Sequence, residues 1–325
     1  MQLKAKNQKG FNMAESNKVL EFFLNNNHLN IIDIGARYGT QDNFKDIEKY
    51  CNVFAFEPDE KECQRLSASD LKTRYRNYTC NPFIVGDKNG PQTINITENP
   101  GGSSIFLYNQ EELQGFKYKE SITPVDSKVV ETRRLDDILL SSGKGSMDYA
   151  NIDVHGSECN VINGGDRIFE KDVMFVNIEM WFNEIYKGQP VFRDVDALLA
   201  QKGFKLLSFT KIRHLNRESV KTFYNICGEA FWTNVYYVRH PDFFFEKSDD
   251  TNRFIRFLLL LHLFAHPGYA LHVLDRFEKE TGIYIPDDFS SLYRTFIKKH
   301  YTPPQSYKMK KFLYQKLMQL VHKLS

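Results

Sequence analysis

The chain has 325 residues, 42% of them hydrophobic and 14% aromatic, enough to bury one large core or one core with a smaller helical unit. Its formal charge of +2 at pH 7 argues against a dedicated nucleic-acid binder, which carries a basic face. Five cysteines (Cys51, Cys63, Cys80, Cys159 and Cys227) without Cys-x-x-Cys spacing argue against a disulfide scaffold or a zinc site and point to a reducing cytoplasm.

Residues 1–28 read as a polar lead-in and a helix whose apolar content is Val19, Leu20, Phe22, Phe23 and Leu24; the polar start has no apolar segment of the secretory kind. Leu29 to Ile34 is a strand ending in a turn that holds Asp33, Gly35 and Gly39. A helix is expected near 42–50, then a strand over Val53 to Phe56 that ends in Glu57. An acid about 20 residues past a glycine turn grips ribose hydroxyls in nucleotide-binding α/β folds. Gly35-Ala-Arg-Tyr-Gly39 lacks the Gly-x-Gly pair that cradles a pyrophosphate. The pattern suits a nucleoside cofactor without pyrophosphate, with S-adenosylmethionine the natural candidate.

A helix is expected near 59–68 and a third strand near 82–85, closed by Gly86-Asp87. Thr93 to Thr97 alternates with period two as a half-buried strand does, and leads through Asn99-Pro-Gly-Gly102 into Ser103 and Ser104. The polar stretch 109–127 reads as a loop or cap. A strand at Lys128 to Thr132, a helix at Leu135 to Leu140 and a fourth main strand at Tyr149 to Val154 follow. A helix over 156–163 stops at Gly164-Gly165, as a helix C-terminus should. Val173 to Ile178 is the fifth main strand, Val191 to Lys202 a helix, and Phe204 to Phe209 and Phe231 to Val238 complete the set.

Repeated βα units imply a parallel sheet with right-handed crossovers. The last two strands have no clear helix between them, which makes one antiparallel. The expected fold is a Rossmann-like class I methyltransferase sheet of seven strands with the last antiparallel, followed by a C-terminal helical appendage. The expected organisation is a lead-in over 1–28, a cofactor-binding domain over 29–240 and helices over 241–325. The most apolar run, Phe257 to Ala265, is interrupted by His262 and is far shorter than the roughly 20 residues that span a bilayer.

Seven blocks in order resemble the FkbM-type S-adenosylmethionine-dependent methyltransferases. They are Ile32-Asp-Ile-Gly-Ala36 with Gly39, Phe56-Glu-Pro-Asp59, Val85-Gly-Asp-Lys-Asn-Gly90, Gly101-Gly-Ser-Ser104, Arg134-Leu-Asp-Asp137, Asn151-Ile-Asp-Val-His-Gly-Ser-Glu158 with Gly164-Gly165, and Asn177-Ile-Glu179 followed by Tyr186-Lys-Gly-Gln189 and Leu199 to Phe204. The resemblance covers residues 28 to 240. It implies an O-methyltransferase acting on a hydroxyl, of a sugar in a surface polysaccharide or of a glycosylated metabolite. It also implies that Asp33 and Gly35 meet the amino-acid end of the cofactor and Glu57 its ribose, with Ala36, Arg37, Gly39 and Pro58 also in the cofactor-binding set. The family's usual Lys-Ile-Asp-Val-Glu-Gly is here Asn151-Ile-Asp-Val-His-Gly156. That departure keeps a second reading open, a protein that binds the cofactor without turnover.

Methyl transfer from a sulfonium is an in-line displacement and rests on positioning. A hydroxyl acceptor must also lose its proton, to a general base or with help from a metal. Asp153 stands at the carboxyl edge of the sheet, where open α/β sheets bind ligands, and is expected in both the cofactor and the catalytic set. His155, with an ordinary pKa near 6.5, is a candidate base or a structural histidine. Glu179 ends a strand beside Trp181 and is a candidate for substrate or metal. Asp87 reads either as an adenine contact or as a turn residue, and Ser103 and Ser104 as ligand contacts or as a hairpin turn. Asp153, His155 and Glu179 could together ligate a divalent ion; deprotonation by a side-chain base is the favoured expectation. Neither the charge nor an Asn-Pro-Pro-Tyr type motif supports a nucleic-acid acceptor.

The tail from Lys308 to Ser325 contains no acid and carries Lys308, Lys310, Lys311, Lys316 and Lys323 against an apolar stripe. It reads as a helix packed on this chain or on a second copy, or as one lying on the inner face of an anionic membrane.

Overall fold

A computed structural model describes residues 27–140, 146–218, 228–245, 250–285, 290, 291, 293 and 294. The expected lead-in helix (to residue 26), Cys227 and the basic tail over 308–325 lie outside the described residues.

The main sheet holds β1 (Leu29–Ile34), β2 (Cys51–Phe56) and β3 (Asn77–Asn81). A smaller sheet is built from β4 (Ile84–Val85), β5 (Gly90–Thr97) and β6 (Pro124–Arg133). The main sheet continues with β7 (Tyr149–Ile152), β8 (Phe175–Trp181), β9 (Phe204–Phe209), β10 (Arg213–Leu215) and β11 (Glu229–Arg239). Its order is β10-β11-β8-β7-β1-β2-β3, with β9 also on β11. The pairs β1/β2, β1/β7, β2/β3 and β7/β8 are parallel. β11 runs antiparallel to β8, β9 and β10. The short β10 takes the part of β11's outer edge that β9 leaves, so the sheet has eight strands where seven were expected.

The third main strand is Asn77–Asn81, not the expected 82–85. Its outward residues Asn77 and Thr79 are exposed, so only Tyr78 and Cys80 carry an apolar signal, whereas Phe83-Ile-Val85 looks like a strand but pairs for two residues only, in the smaller sheet. Two 3-10 turns, Asp42–Phe44 and Glu48–Tyr50, replace the helix expected near 42–50. The stretch 109–127 is anchored by buried Leu113, Phe116 and Ile122 and includes a short helix, Tyr118–Ile122.

With no helix at 42–50, one face of the sheet needs cover from elsewhere. Two helices, Thr251–Leu263 and Pro267–Thr281, supply it, burying Phe254, Phe257, Leu258, Leu261 and Phe277 in one cluster with Leu29, Ile31, Val53, Tyr149 and Phe175. These residues were expected in an appendage; they form part of the core. A buried ion pair ties them in. The Arg256 Nε donates to Asp148 Oδ1 at 2.9 Å, and the Asn30 N–H donates to the other oxygen of that fully buried carboxylate at 2.9 Å. The opposite face packs Ile32, Ile34, Ile152 and Ile178 on the helices Glu158–Gly164, Asp166–Lys171 and Phe192–Gln201.

The cysteine reading needs one correction. Cys63, in the helix Glu60–Ala68, is disulfide-bonded to Cys80 of β3, their Cα atoms 5.6 Å apart. The helix after β2 folds back beside β3, and this tertiary contact leaves no mark in the spacing. Cys51 and Cys159 are free.

Candidate active site

β1, β2 and β7 end at one edge of the sheet, and a cleft of about 1010 Å³, measured out to its open mouth, lies across that edge. Gly35, Arg37, Glu57, Pro58, Ser103, Ser104, Asp153 and His155 line it. Phe83, Ile84, Val85, Ile94, Ile96 and Ile105 form an apolar slot at one side, drawn largely from the smaller sheet.

The turn after β1 is drawn tight over β2. The N–H groups of Gly35 and Ala36 both donate to the Phe56 carbonyl, at 3.0 and 3.1 Å, and Gly39 N–H closes the turn on Ala36 O at 2.8 Å. Gly35 has φ +85°, and a Cβ there would lie 1.9 Å from the Asp153 carbonyl oxygen. Gly35→Ala therefore meets a left-handed backbone and an immovable atom together. Loss of cofactor binding with a destabilisation of about 2 kcal/mol or more is expected; cofactor titration alongside chemical denaturation checks it, and a fully active variant contradicts it.

Glu57 is 3% exposed at the end of β2. Its Oε1 accepts from the Asp59 N–H at 2.8 Å and from Arg37 Nη2 at 3.4 Å, while Arg37 is held more closely by Asp59 Oδ2 at 2.8 Å. These bonds all fall on Oε1, which leaves Oε2 for a ribose diol. Burial raises the Glu57 pKa, opposed by the Asp59 N–H and by Arg37.

The cofactor-binding residues expected around the first turn separate. Gly35 and Arg37 line the cleft. Ala36 is buried, and Gly39 is not among the lining residues. Asp33 is buried among side chains of the opposite face. Its Oδ1 accepts from Asn151 Nδ2 at 2.9 Å, and Asn151 Oδ1 in turn accepts from Gln41 and Asn177, each at 2.8 Å. Because β-strand side chains alternate between faces, Asp33 shares its face with Ile31 and not with Ile34, which lines the cleft. Asp87 is exposed and outside the cleft, and its carbonyl accepts from Arg134 at 2.6 Å.

Ser104 lines the cleft, and its hydroxyl also donates to the His155 carbonyl at 2.6 Å. That bond helps hold His155 at φ +51°, a left-handed conformation costing on the order of 1 kcal/mol. The next N–H, of Gly156, donates to Glu158 Oε1 at 3.0 Å. Glu158 is buried, and its pKa is raised by burial to about 7.

The twisted turn brings His155 Nε2 to 3.6 Å from Asp153 Oδ1 and 3.9 Å from Glu179 Oε2. Asp153 and His155 belong to the cleft, while Glu179 reaches the same point from the middle of buried β8. Burial lowers the His155 pKa, partly opposed by Asp153; burial, then the neighbouring Asp153 charge, raises Glu179 well above the ordinary carboxylate value. Beyond this cluster stands an aromatic wall. Trp181 is 5.8 Å from His155 and 5.1 Å from Trp232, which lies tilted 5.4 Å from half-buried Tyr118 (all ring centroids).

Tyr186 contacts His155, and Glu158 holds the turn beside it; neither was singled out as a site residue. Both sit in motif blocks, but nothing in the spacing shows that the Tyr186 hydroxyl reaches back to the turn after β7.

A βα sheet of this order, with a cleft across its carboxyl edge and an acid at the end of β2, defines a Rossmann-like S-adenosylmethionine-dependent methyltransferase. The cofactor fits the residues present: Glu57 would hold the ribose, the apolar slot the adenine, and the close-packed backbone at Gly35 the methionine arm. The chain belongs to the FkbM methyltransferase family, whose domain model matches residues 33–206. Among curated proteins it is similar to the 2-O-methyltransferase NoeI of Sinorhizobium fredii, 28% identical over 177 residues that cover 52% of this chain and 70% of the relative. Similar solved structures include the FkbM methyltransferase of Methylobacillus flagellatus, at TM-score 0.36 and 13% identity over 65% of this chain and 43% of that one. They also include the magnesium protoporphyrin IX methyltransferase of Synechocystis with bound SAM, at TM-score 0.34 and 11% identity over 70% of this chain and 79% of that one. Among the described residues no helix is long and apolar enough to cross a membrane.

Proposed function

We propose that the protein transfers the methyl group of S-adenosylmethionine to a hydroxyl of a carbohydrate, in a surface polysaccharide or a glycosylated metabolite. The observation that carries this reading is the convergence of Asp153, His155 and Glu179 at the cleft. Hydroxyl methylation needs a proton acceptor beside the donor. Burial moves Glu179 up from the ordinary carboxylate value, which makes it a stronger base, and moves His155 down, which keeps its imidazole neutral with a lone pair free to accept. The likeness to NoeI, a 2-O-methyltransferase, supports a hydroxyl acceptor. The partly exposed rings of Trp232 and Tyr118, which lie outside the cleft lining, support a sugar, whose C–H face packs on aromatic rings while its hydroxyls reach polar groups.

When bound, the cofactor supplies an electrophilic methyl on a sulfonium. Glu57 would hold the ribose, the Gly35 turn would fix the arm, and the Asp153–His155–Glu179 cluster would orient the acceptor hydroxyl and take its proton. Asn151, one of the two departures from the family pattern, is not among the residues lining the cleft and removes no group from it. The cofactor-binding reading without turnover therefore draws on His155 alone.

An acceptor screen with labelled cofactor tests this. Glu179→Gln is expected to lower kcat by about 100-fold or more, the usual worth of a positioned proton acceptor, with S-adenosylhomocysteine affinity retained. Methyl ethers on the sugar, seen by NMR, are the expected product. Cofactor binding with no transfer to any hydroxyl would favour the reading without turnover, and transfer to nitrogen or carbon would sink the proposal.

A further inference from the structure

Three electron-rich atoms converge beside the cleft, and hydrogen-bond bookkeeping shows that the histidine puts no proton between them. The Tyr186 hydroxyl oxygen lies 3.1 Å from the Gly102 carbonyl oxygen and 3.2 Å from His155 Nδ1. A carbonyl only accepts, so the phenol gives its single proton to Gly102. His155 Nδ1 then carries its own hydrogen and donates it to the phenol oxygen. In the neutral ring this leaves Nε2 as a bare lone pair. That lone pair faces Asp153 Oδ1 at 3.6 Å and Glu179 Oε2 at 3.9 Å. Both carboxylate oxygens are buried and have no hydrogen-bond partner, and Glu179 as a whole is only 8% exposed. Buried acceptors of this kind need something positive.

We propose that Asp153 Oδ1, His155 Nε2 and Glu179 Oε2 bind a divalent transition-metal cation, and that its open positions hold the acceptor hydroxyl. The second part rests on the carbohydrate-hydroxyl reading; the first does not. The ligand-capable atoms of the three residues all lie within 4.8 Å of one another. Metal–ligand bonds of about 2.1 Å at tetrahedral angles place ligand atoms about 3.4 Å apart, so small side-chain rotations close the set. Tyr186 provides what a ligating histidine needs behind it: a partner for the other ring N–H that fixes the tautomer and the ring plane. Three protein ligands leave positions for a hydroxyl, whose proton a dication makes easier to pass to the unligated Asp153 Oδ2 or to water. The imidazole in the set favours Zn²⁺ and its neighbours over Mg²⁺; the glutamate that the family pattern carries at position 155 would give an all-oxygen site suited to the harder ion.

The test is calorimetric titration of the chelator-treated full chain with Zn²⁺, Mn²⁺ and Mg²⁺, without cofactor or acceptor. One Zn²⁺ per chain is expected, weakened about 100-fold or more in Glu179→Gln and in Asp153→Asn. Tyr186→Phe, which keeps the ring and removes the oxygen behind His155, is expected to weaken it 10- to 100-fold. His155→Glu is expected to shift preference towards Mn²⁺ and Mg²⁺. Circular dichroism of each variant separates lost ligation from lost folding. Absence of stoichiometric binding to the wild type, or binding indifferent to both carboxylate variants, overturns the site. Sugar methylation that survives exhaustive chelation overturns the metal's role and leaves the proposed function standing. Tight, Glu179-dependent Zn²⁺ binding in a protein that methylates no sugar does the reverse.

Discussion

Glu57→Ala should weaken S-adenosylhomocysteine binding by at least 100-fold in a calorimetric titration while leaving the protein folded. The ribose diol offers two O–H donors, and the oxygen of Glu57 not engaged by Asp59 and Arg37 is placed to receive them. Hydrogen bonds to a charged acceptor contribute about 1.5–3 kcal/mol each, so losing two costs about 3 kcal/mol or more. Glu57 is buried where it lines the cleft. Arg37 keeps its closer partner Asp59, so the turn should survive. Glu57→Gln, which retains one acceptor oxygen but adds a donor, should fall between the two. Wild-type affinity in the alanine variant would mean that the ribose is held elsewhere, and the reading of the cleft would have to change with it.

The parts of this site that follow local rules are legible in the sequence. Leu29–Ile34 and Val53–Phe56 are apolar runs closed by glycine and by an acid, and both form the strands whose ends build the cleft. Asp153 and His155 follow a strand end as the pattern implies. The misses share a physical origin. Asp33 stands one residue before the cleft-lining Ile34, and strand alternation sends it to the other face. The Cys63–Cys80 bond, the cover provided by Thr251–Leu263, and the Tyr186 contact with His155 are long-range meetings that no window of sequence contains. Asp87 follows a short strand as expected, but that strand belongs to the smaller sheet and leaves the residue exposed.

The same alternation gives the second large effect. Asp33 is fully buried next to Asn151, where the family pattern has a lysine. Burial raises its pKa to about 7, against the hydrogen bond from Asn151 and with added repulsion from Asp153 and Glu57. Its Oδ2 has no hydrogen-bond partner, and Tyr149, also on this face, is fully buried with its pKa raised by burial and by Asp33. The folded pKa stands above the ordinary value of 3.8, so between pH 3.8 and 7 the native state holds a proton that the unfolded chain has released. The contribution of this carboxyl to stability is therefore greatest at the acid end of this window and falls as pH rises through it, levelling off above about 7. At 1.36 kcal/mol per unit the full loss reaches about 4 kcal/mol, a large share of the 5–15 kcal/mol that holds a typical domain together. Asp33→Asn keeps an acceptor for Asn151 and carries no charge; it should be more stable than the wild type at pH 8 and lose most of the advantage at pH 4. Asn151→Lys puts an ammonium beside the carboxylate and should flatten the same slope, while the loss of the acceptor shared by Gln41 and Asn177 lowers its absolute stability. Urea midpoints at pH 4, 6 and 8 for the three proteins decide the matter, because the slope reports the proton and not the packing. An unchanged slope in Asp33→Asn would show that Asp33 stays ionised in the folded protein, and the asparagine at 151 would then need a different account.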